Sequence, residues 1–152
     1  IQSRLGCSNK PSAFEISVPM ALPSIVTVQT ALSQLCKQTA GMRSIAVTDR
    51  DGVVVLRAPE TAVEDPIASG VLTTIFSMAA VQSEKVKGLG SMNTILNSYS
   101  ECYLLQVSMD VLVISIIVDK DANIGSIMAL TPSIKELLQP TQLAIKRETE
   151  AA

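Results

Sequence analysis

The sequence predicts an α/β protein of the α+β kind: one domain with a five-stranded antiparallel sheet and element order α-β-β-α-β-β-β-α. Three observations predict it. Residues 43–58 form a β-hairpin pattern, because two apolar runs flank the turn residues Asp49-Arg50-Asp51-Gly52, and Asp and Gly tolerate positive φ angles. Three further strand-like runs occupy residues 92–118, and three segments repeat apolar residues at helical spacing. The acids of the hairpin turn are therefore predicted to be structural.

Composition narrows the classes of function. The chain has 152 residues, 47% of them hydrophobic, which suits one compact core, and its net charge of -2 predicts no nucleic-acid partner. It contains no His, which removes the commonest general base and zinc ligand, so we expect no enzyme, metal or cofactor. Its three Cys residues form no C-x-x-C pair, which favours a reducing compartment. The longest apolar run, about 8 residues, is far below the ~20 that span a bilayer.

The chain divides into three parts by composition. Residues 1–23 are predicted to be a loosely ordered extension, residues 24–140 the domain, and residues 141–152 a polar tail that frays. In the extension, Gly6 resembles an acylation site, but Leu5 precedes it and myristoylation requires an N-terminal glycine. The first helix begins after Ser24 as N-cap and ends before Gly41. Cys36 lies on its apolar arc, so we expect a buried, unreactive thiol.

The second helix, residues 67–86 with Asp65 as N-cap and Pro66 in the first turn, has an unusually wide apolar arc. At 100° per residue its apolar side chains cover more than half of the circumference and leave Thr73, Ser77 and Glu84 on a polar strip. One sheet face cannot cover such an arc, which predicts a partner chain. The alternative is that the third helix or residues 1–23 cover it. The apolar residues are Ile67, Val71, Leu72, Ile75, Phe76, Met78, Ala79 and Val81.

The second half of the chain predicts an antiparallel meander and a final helix. Residues 111–118 are apolar on both faces and are expected in the interior of the sheet, whereas residues 92–98 have the mixed composition of an edge strand. An open edge can pair with another chain, which is a second indication of a partner. The last helix spans residues 122–139 and is kinked or restarted at Pro132.

One acidic cluster invites a calcium interpretation. Asp119, Asp121 and Asn123 occupy the first, third and fifth places of an EF-hand-like count. Ile124 stands where that loop requires Gly, and Leu130 where it requires a bidentate Glu. The sequence therefore predicts no calcium site.

Three segments carry a family resemblance: residues 44–56 (SIAVTDRDGVVVL), 70–74 (GVLTT) and 122–138 (ANIGSIMALTPSIKELL). Together with the element order, they make residues 24–140 similar to the roadblock family, which is related to longin and profilin-like folds. Within that family, the chain resembles the MAP kinase scaffold subunits of the Ragulator complex of late endosomes and lysosomes.

The resemblance implies a non-enzymatic scaffold or adaptor that forms a heterodimer with a second roadblock-fold subunit. It implies a cytosolic protein held on the cytoplasmic face of the late endosome or lysosome, with membrane contact only through a lipidated partner. It further implies support of Rag GTPase docking, TOR signalling and MAP kinase scaffolding. Carried over to this sequence, the dimer surface comprises Val71, Thr74, Ile75, Met78, Gln82, Asn93, Ile95 and Asn97.

Two other classes of function are alternatives. Other roadblock proteins act on small GTPases, and Arg50 at the exposed hairpin tip is the candidate for an arginine finger or for a partner contact. A small-molecule sensor is the other alternative. The aromatic content of 3% and the few convergent polar groups argue against it.

Overall fold

The computed structural model describes residues 24–60 and 71–151, which form three helices and five strands in the predicted order. The elements are α1 (Ile25–Gln38), β1 (Met42–Asp49), β2 (Val54–Ala58), α2 (Val71–Ser83), β3 (Thr94–Ser98), β4 (Cys102–Met109), β5 (Leu112–Asp119) and α3 (Ile124–Ala151).

The five strands form one antiparallel sheet in the order β2-β1-β5-β4-β3. β5 lies in the centre, and seven of its eight residues are buried, as predicted from its apolar composition. β3 lies at one edge, which is also as predicted. The α+β fold class is confirmed.

The two faces of the sheet are covered unequally. On one face, α1 and α3 pack on the main core, which includes Ile45 of β1 and Ile114 and Ile116 of β5. On the other face, beneath α2, the buried cluster is small and consists of Cys102, Leu104 and Ile117, with Leu72 of α2 packed against it. Neighbouring residues of a strand point to opposite faces, so the sheet separates these two clusters.

Local signals in the sequence account for the hairpin and for the start of α1. Oδ1 of Asp49 accepts hydrogen bonds from the backbone N–H groups of Asp51 (2.9 Å) and Val53 (2.8 Å), and Gly52 has φ +88°. The acids of the turn are thus structural, as predicted. The Ser24 hydroxyl accepts a hydrogen bond from the backbone N–H of Thr27 at 3.3 Å, which confirms it as the N-cap.

The prediction that the chain frays beyond Pro140 is wrong. α3 begins at Ile124, is not restarted at Pro132, and runs through Pro140 to Ala151. Beyond Pro140, Thr141 is buried, Ile145 packs on the main core and Nζ of Lys146 lies 3.0 Å from Oδ2 of Asp110. These tertiary contacts offset the hydrogen bond that Pro140 cannot donate.

Other boundaries shift by a few residues. α2 ends at Ser83 rather than at residue 86, because residues 84–86 form turns, and β3 begins at Thr94 rather than at residue 92. The predicted start of α2, including Asp65 and Pro66, lies outside the described residues, as does the 1–23 extension. In the part of the chain that the structure describes, no helix combines the length and apolarity that crossing a bilayer requires.

Candidate partner interface

The inner face of α2 is narrow and partly polar. Only Thr73 and Phe76 are buried among the 13 residues of α2 that the structure describes, so the prediction that places Thr73 on a polar strip away from the core is wrong. Nε2 of Gln106 in β4 donates to the backbone carbonyl of Leu72 at 2.7 Å. α2 therefore packs on the sheet through the buried Phe76, the partly buried Leu72 and polar contacts.

The outer face of α2 is apolar and open. Val71, Met78 and Val81 are 65%, 64% and 57% exposed, and Ile75 is 36% exposed. Thr74 and Gln82 are also exposed. At 100° per residue, Val71, Ile75, Met78 and Gln82 lie opposite the buried face. The described residues thus leave the outer part of the wide apolar arc uncovered, and all five helix residues of the predicted dimer surface are exposed on this outer face.

The β3 edge contributes the strand residues of the predicted surface. Register pairs Ile95 with Gln106 and Asn97 with Leu104, so both side chains point to the side of the sheet that α2 covers. Both are half-buried, and Nδ2 of Asn97 is buried without an acceptor among the described residues. Asn93 precedes the strand and is exposed. Its backbone carbonyl accepts a hydrogen bond from the backbone N–H of Ser108 at 2.8 Å.

The other edge of the sheet is closed by α1. Nε2 of Gln29 donates to the carbonyl of Arg57 in β2 at 3.3 Å and to Oε1 of Glu60 at 3.1 Å. Sγ of Cys36 lies 3.7 Å from the carbonyl oxygen of Ala58. Side chains of α1 thus cover the backbone of β2, whereas β3 pairs only with β4 in the described structure. This asymmetry favours β3 as the edge for strand pairing.

Arg50 is exposed at the hairpin tip, as the sequence suggested, but its guanidinium is engaged. Nε donates to the carbonyl of Asp110 at 2.6 Å, and an Nη lies 3.3 Å from Oγ of Ser108. Arg50 therefore joins the β1–β2 turn to the β4–β5 turn. Ser108 also donates its backbone N–H to the backbone carbonyl of Asn93, so it contacts both residues.

An open cleft of about 600 Å³ lies at the end of the sheet where β5 leads into α3. Its cations are held by the protein itself: Arg43 pairs with Asp119, and Nζ of Lys120 lies 2.7 Å from Oγ of Ser98. Oδ1 of Asn123 accepts from the backbone N–H of Ser126 at 3.2 Å. These contacts support the turn, and nothing in them indicates a bound small molecule.

Cys36 behaves as the sequence predicts for a buried hydrophobe. It is 6% exposed, and burial raises the pKa of its thiol to about 11, against the weaker opposing effect of a backbone hydrogen bond from Ile45. The thiolate is therefore scarce at neutral pH, which leaves the group unreactive. Within residues 24–60 and 71–151, no three Cys, Asp or Glu side chains are grouped to hold a metal ion.

The sequence places Val81 on the apolar arc, but the predicted dimer surface does not include it, although Val81 is more than half exposed. The prediction also misses Lys120 completely. This residue spans from the β5–α3 turn to β3 and lies 4.2 Å above the ring of Tyr103. No local sequence pattern predicts these contacts, because Tyr103 and Ser98 are 17 and 22 positions away from Lys120 in the sequence.

Comparisons with known proteins identify the family of this chain. A family model described as "Mitogen-activated protein kinase kinase 1 interacting" matches residues 26–145. Ragulator complex protein LAMTOR3-B of Xenopus laevis is 35% identical over 107 residues, which cover 70% of this chain and 85% of that protein. The Ragulator complex protein LAMTOR3 homolog of Drosophila melanogaster is 28% identical over 118 residues, covering 78% and 94%.

Solved structures show the fold. The Roadblock/LC7 domain from Streptomyces avermitilis is 13% identical, with a TM-score of 0.65 over 76% of this chain and 97% of that one. Myxococcus xanthus MglB is also 13% identical, with a TM-score of 0.62 over 77% and 95%. The chain has the roadblock fold and belongs to the family of mitogen-activated protein kinase kinase 1 interacting proteins.

Proposed function

We propose that this chain is a non-enzymatic adaptor subunit of a Ragulator-type complex, in which it forms a heterodimer with a second roadblock-fold subunit. The observation that carries the proposal is the open apolar face of α2, on which Val71, Met78 and Val81 are each more than half exposed. Monomeric proteins rarely leave such a patch in water. Relatives of this chain are named as Ragulator complex proteins, and these names support a Ragulator-type complex.

The interface that we propose comprises the outer face of α2 and the β3 edge. Both predicted parts lie on the same side of the sheet, since Ile95 and Asn97 point to the α2 side. Strand pairing would satisfy the outward backbone groups of β3, and helix packing would bury Met78. The partner subunit could also provide an acceptor for Nδ2 of Asn97, which has none among the described residues.

The finer parts of the proposal concern cellular role. We place the heterodimer on the cytoplasmic face of the late endosome or lysosome, where a lipidated partner holds it at the membrane. There it supports Rag GTPase docking, TOR signalling and the scaffolding of MAP kinase components. The family description, which names a kinase kinase interaction, and the Ragulator relatives support these roles.

The alternative of a small-GTPase regulator that acts through Arg50 is not favoured by the geometry. An arginine finger must reach a phosphoryl group in the partner's site. Here the guanidinium of Arg50 donates to Asp110 and Ser108 within the same chain. GTPase turnover measured with wild-type chain and with Arg50→Ala separates the two functions, because an adaptor predicts no effect of this substitution on hydrolysis.

The decisive experiment compares two exposed methionines. The chain is co-expressed with the roadblock-family protein that co-purifies with it from its own cells, and the complex is measured by light scattering. Met78→Glu places a charge in the proposed interface and is expected to weaken the 1:1 complex by at least about 30-fold. Met128→Glu is the control, since Met128 is exposed on α3. A Met78→Glu chain that still forms the complex at wild-type affinity would falsify the interface. A wild-type chain that stays monomeric in the presence of that subunit contradicts the proposed function itself.

A further inference from the structure

The outer face of α2 has the residue spacing of a helix-pairing seam. Val71, Ile75, Met78 and Gln82 follow one another at intervals of four, three and four residues. Alternation of three and four is the spacing that keeps side chains facing one partner helix in a two-helix packing. We call these four residues the outer seam. Its apolar members are Val71, Ile75 and Met78, and all are exposed.

The outer seam ends in a polar pair. Gln82 is exposed in the last turn of α2, and Lys85 follows two residues after the helix ends at Ser83. Nζ of Lys85 donates to Oε1 of Gln82 at 2.8 Å. An ammonium group is therefore fixed next to the end of an otherwise apolar seam. A single polar residue in such a seam specifies register and oligomer state at some cost in stability, and charged residues beside the seam set the choice of partner.

A second copy of this chain fits the seam poorly in either direction. In an antiparallel pairing centred between Ile75 and Met78, Gln82 and the bound Lys85 ammonium meet Val71 of the second copy, which desolvates polar groups against a methyl surface. In a parallel pairing, the two Lys85 ammonium groups approach one another. Both arrangements of identical chains are penalised by the same pair of residues.

We propose that the Gln82–Lys85 pair selects the partner: it favours a subunit whose contacting helix carries an Asp or Glu facing Lys85, and it disfavours a second copy of this chain. The inference rests on the proposed function, because it assumes that a partner helix packs on the outer seam. With the correct subunit, the carboxylate attracts the Lys85 ammonium and the Gln82 amide and stabilises the complex. With a subunit that lacks the acid, the Lys85 ammonium is desolvated without a partner, which destabilises the complex.

The probe is the roadblock-family chain that co-purifies with this protein, produced separately and titrated against the full chain by calorimetry. Lys85→Glu is expected to raise Kd at least about tenfold. Lys87→Glu is the control, since it makes the same change of charge at an exposed position two residues beyond Lys85. Replacing the facing acid of the probe by Lys is expected to restore binding to Lys85→Glu.

Self-association gives the second readout. The double variant Gln82→Leu/Lys85→Leu extends the apolar seam, so it is expected to dimerise with itself at least about tenfold more tightly than wild type in sedimentation equilibrium. If wild type binds the probe and Lys85→Glu binds it equally well, the selection by this pair is overturned while the heterodimer stands. A Lys87→Glu loss as large as that of Lys85→Glu, or a double variant that stays as monomeric as wild type, also overturns it. If wild type binds no roadblock subunit, the failure lies in the proposed function.

Discussion

Thr48 of β1 and Thr73 of α2 share a hydrogen bond between their hydroxyl oxygens, 2.5 Å apart. Both residues are buried, and the Thr48 hydroxyl lies 3.4 Å from the carbonyl of Val113, to which it donates. Either hydroxyl can be the donor in the bond between the two threonines. The chain of bonds from α2 through β1 to β5 sets the position of the helix that presents the outer seam.

Removing one hydroxyl of this pair is expected to destabilise the fold. Thr73→Val keeps the shape of the side chain but leaves the buried Thr48 hydroxyl without its Thr73 partner, which predicts a loss of about 1–2 kcal/mol in the free energy of unfolding. Thr74→Val is the matched control, since Thr74 is the next residue of α2 and is exposed. Urea denaturation measures both. Equal midpoints for the two variants would show that the hydroxyl pair contributes nothing.

Gly41 provides a second test, at the approach of β1 to the β5–α3 turn. Its φ is +80°, a Cβ there would lie 2.3 Å from Cβ of Ala122, and its carbonyl accepts from the N–H of Asp119 at 2.7 Å. Gly41→Ala therefore combines left-handed strain with a clash, and we expect it to cost about 3 kcal/mol or more.

The control for Gly41 is Gly88, which has φ +94° but open space around the position of a Cβ. Gly88→Ala is expected to cost about 1 kcal/mol, from backbone strain alone. Thermal unfolding of the two variants isolates the steric part as their difference. If the two substitutions cost the same, the close approach of Gly41 to Ala122 is not what requires glycine.

The sequence anticipates features that depend on local chemistry and misses those set by tertiary contacts. The hairpin is predictable because Asp49 and Gly52 build the turn from their own backbone and side chains. The inward position of Thr73 is not predictable from apolar periodicity, because the sheet surface that it faces is itself partly polar. Buried residues on that surface include Ser44, Thr48, Gln106 and Ser115.

The tail of α3 shows the same limit. Pro140 and the charged residues after it indicate fraying, yet Thr141 and Ile145 are placed against the core. At the candidate interface, the helical arc predicts that α2 has more apolar surface than the sheet can cover. Which part of that surface stays exposed depends on where Phe76 packs against the sheet. The Lys120 contact with β3 arises only when the sheet forms.

Cys36 makes stability depend on pH in the alkaline range. Its folded pKa is about 11, against an ordinary value of 9.0, so between these pH values the unfolded chain loses a proton that the folded chain keeps. Stability from this group is complete below about pH 8 and falls as pH rises, by about 2–3 kcal/mol at pH 11.

The measurement for Cys36 is urea unfolding of wild type and of Cys36→Ala at pH 8, 9.5 and 10.5. Other groups that titrate in this range affect both proteins alike. The stability advantage of wild type over the variant is therefore expected to shrink as pH rises. An advantage that stays constant across the three pH values would contradict a raised pKa of this thiol.

Lys120 ties the proposed pairing edge to the rest of the sheet. From the β5–α3 turn, its Nζ donates to Oγ of Ser98 at 2.7 Å and to the carbonyl of Tyr99 at 2.5 Å, and it lies over the ring of Tyr103. These contacts hold the end of β3. In the described sheet, β3 pairs with β4 alone. Exposed contacts of this kind contribute about 0.5–1 kcal/mol each.

Lys120→Met keeps most of the side-chain length and removes the charge, so β3 is expected to fray while the core stays intact. Amide hydrogen exchange should speed up at residues 94–98 and remain unchanged in β5, and affinity for the roadblock subunit should fall about 3- to 10-fold, because the pairing edge must then be ordered on binding. Lys37→Met, at an exposed position of α1, is the control for loss of charge. Unchanged exchange at residues 94–98 together with unchanged affinity would show that β3 is ordered without Lys120, and that sheet pairing with β4 suffices to present the edge.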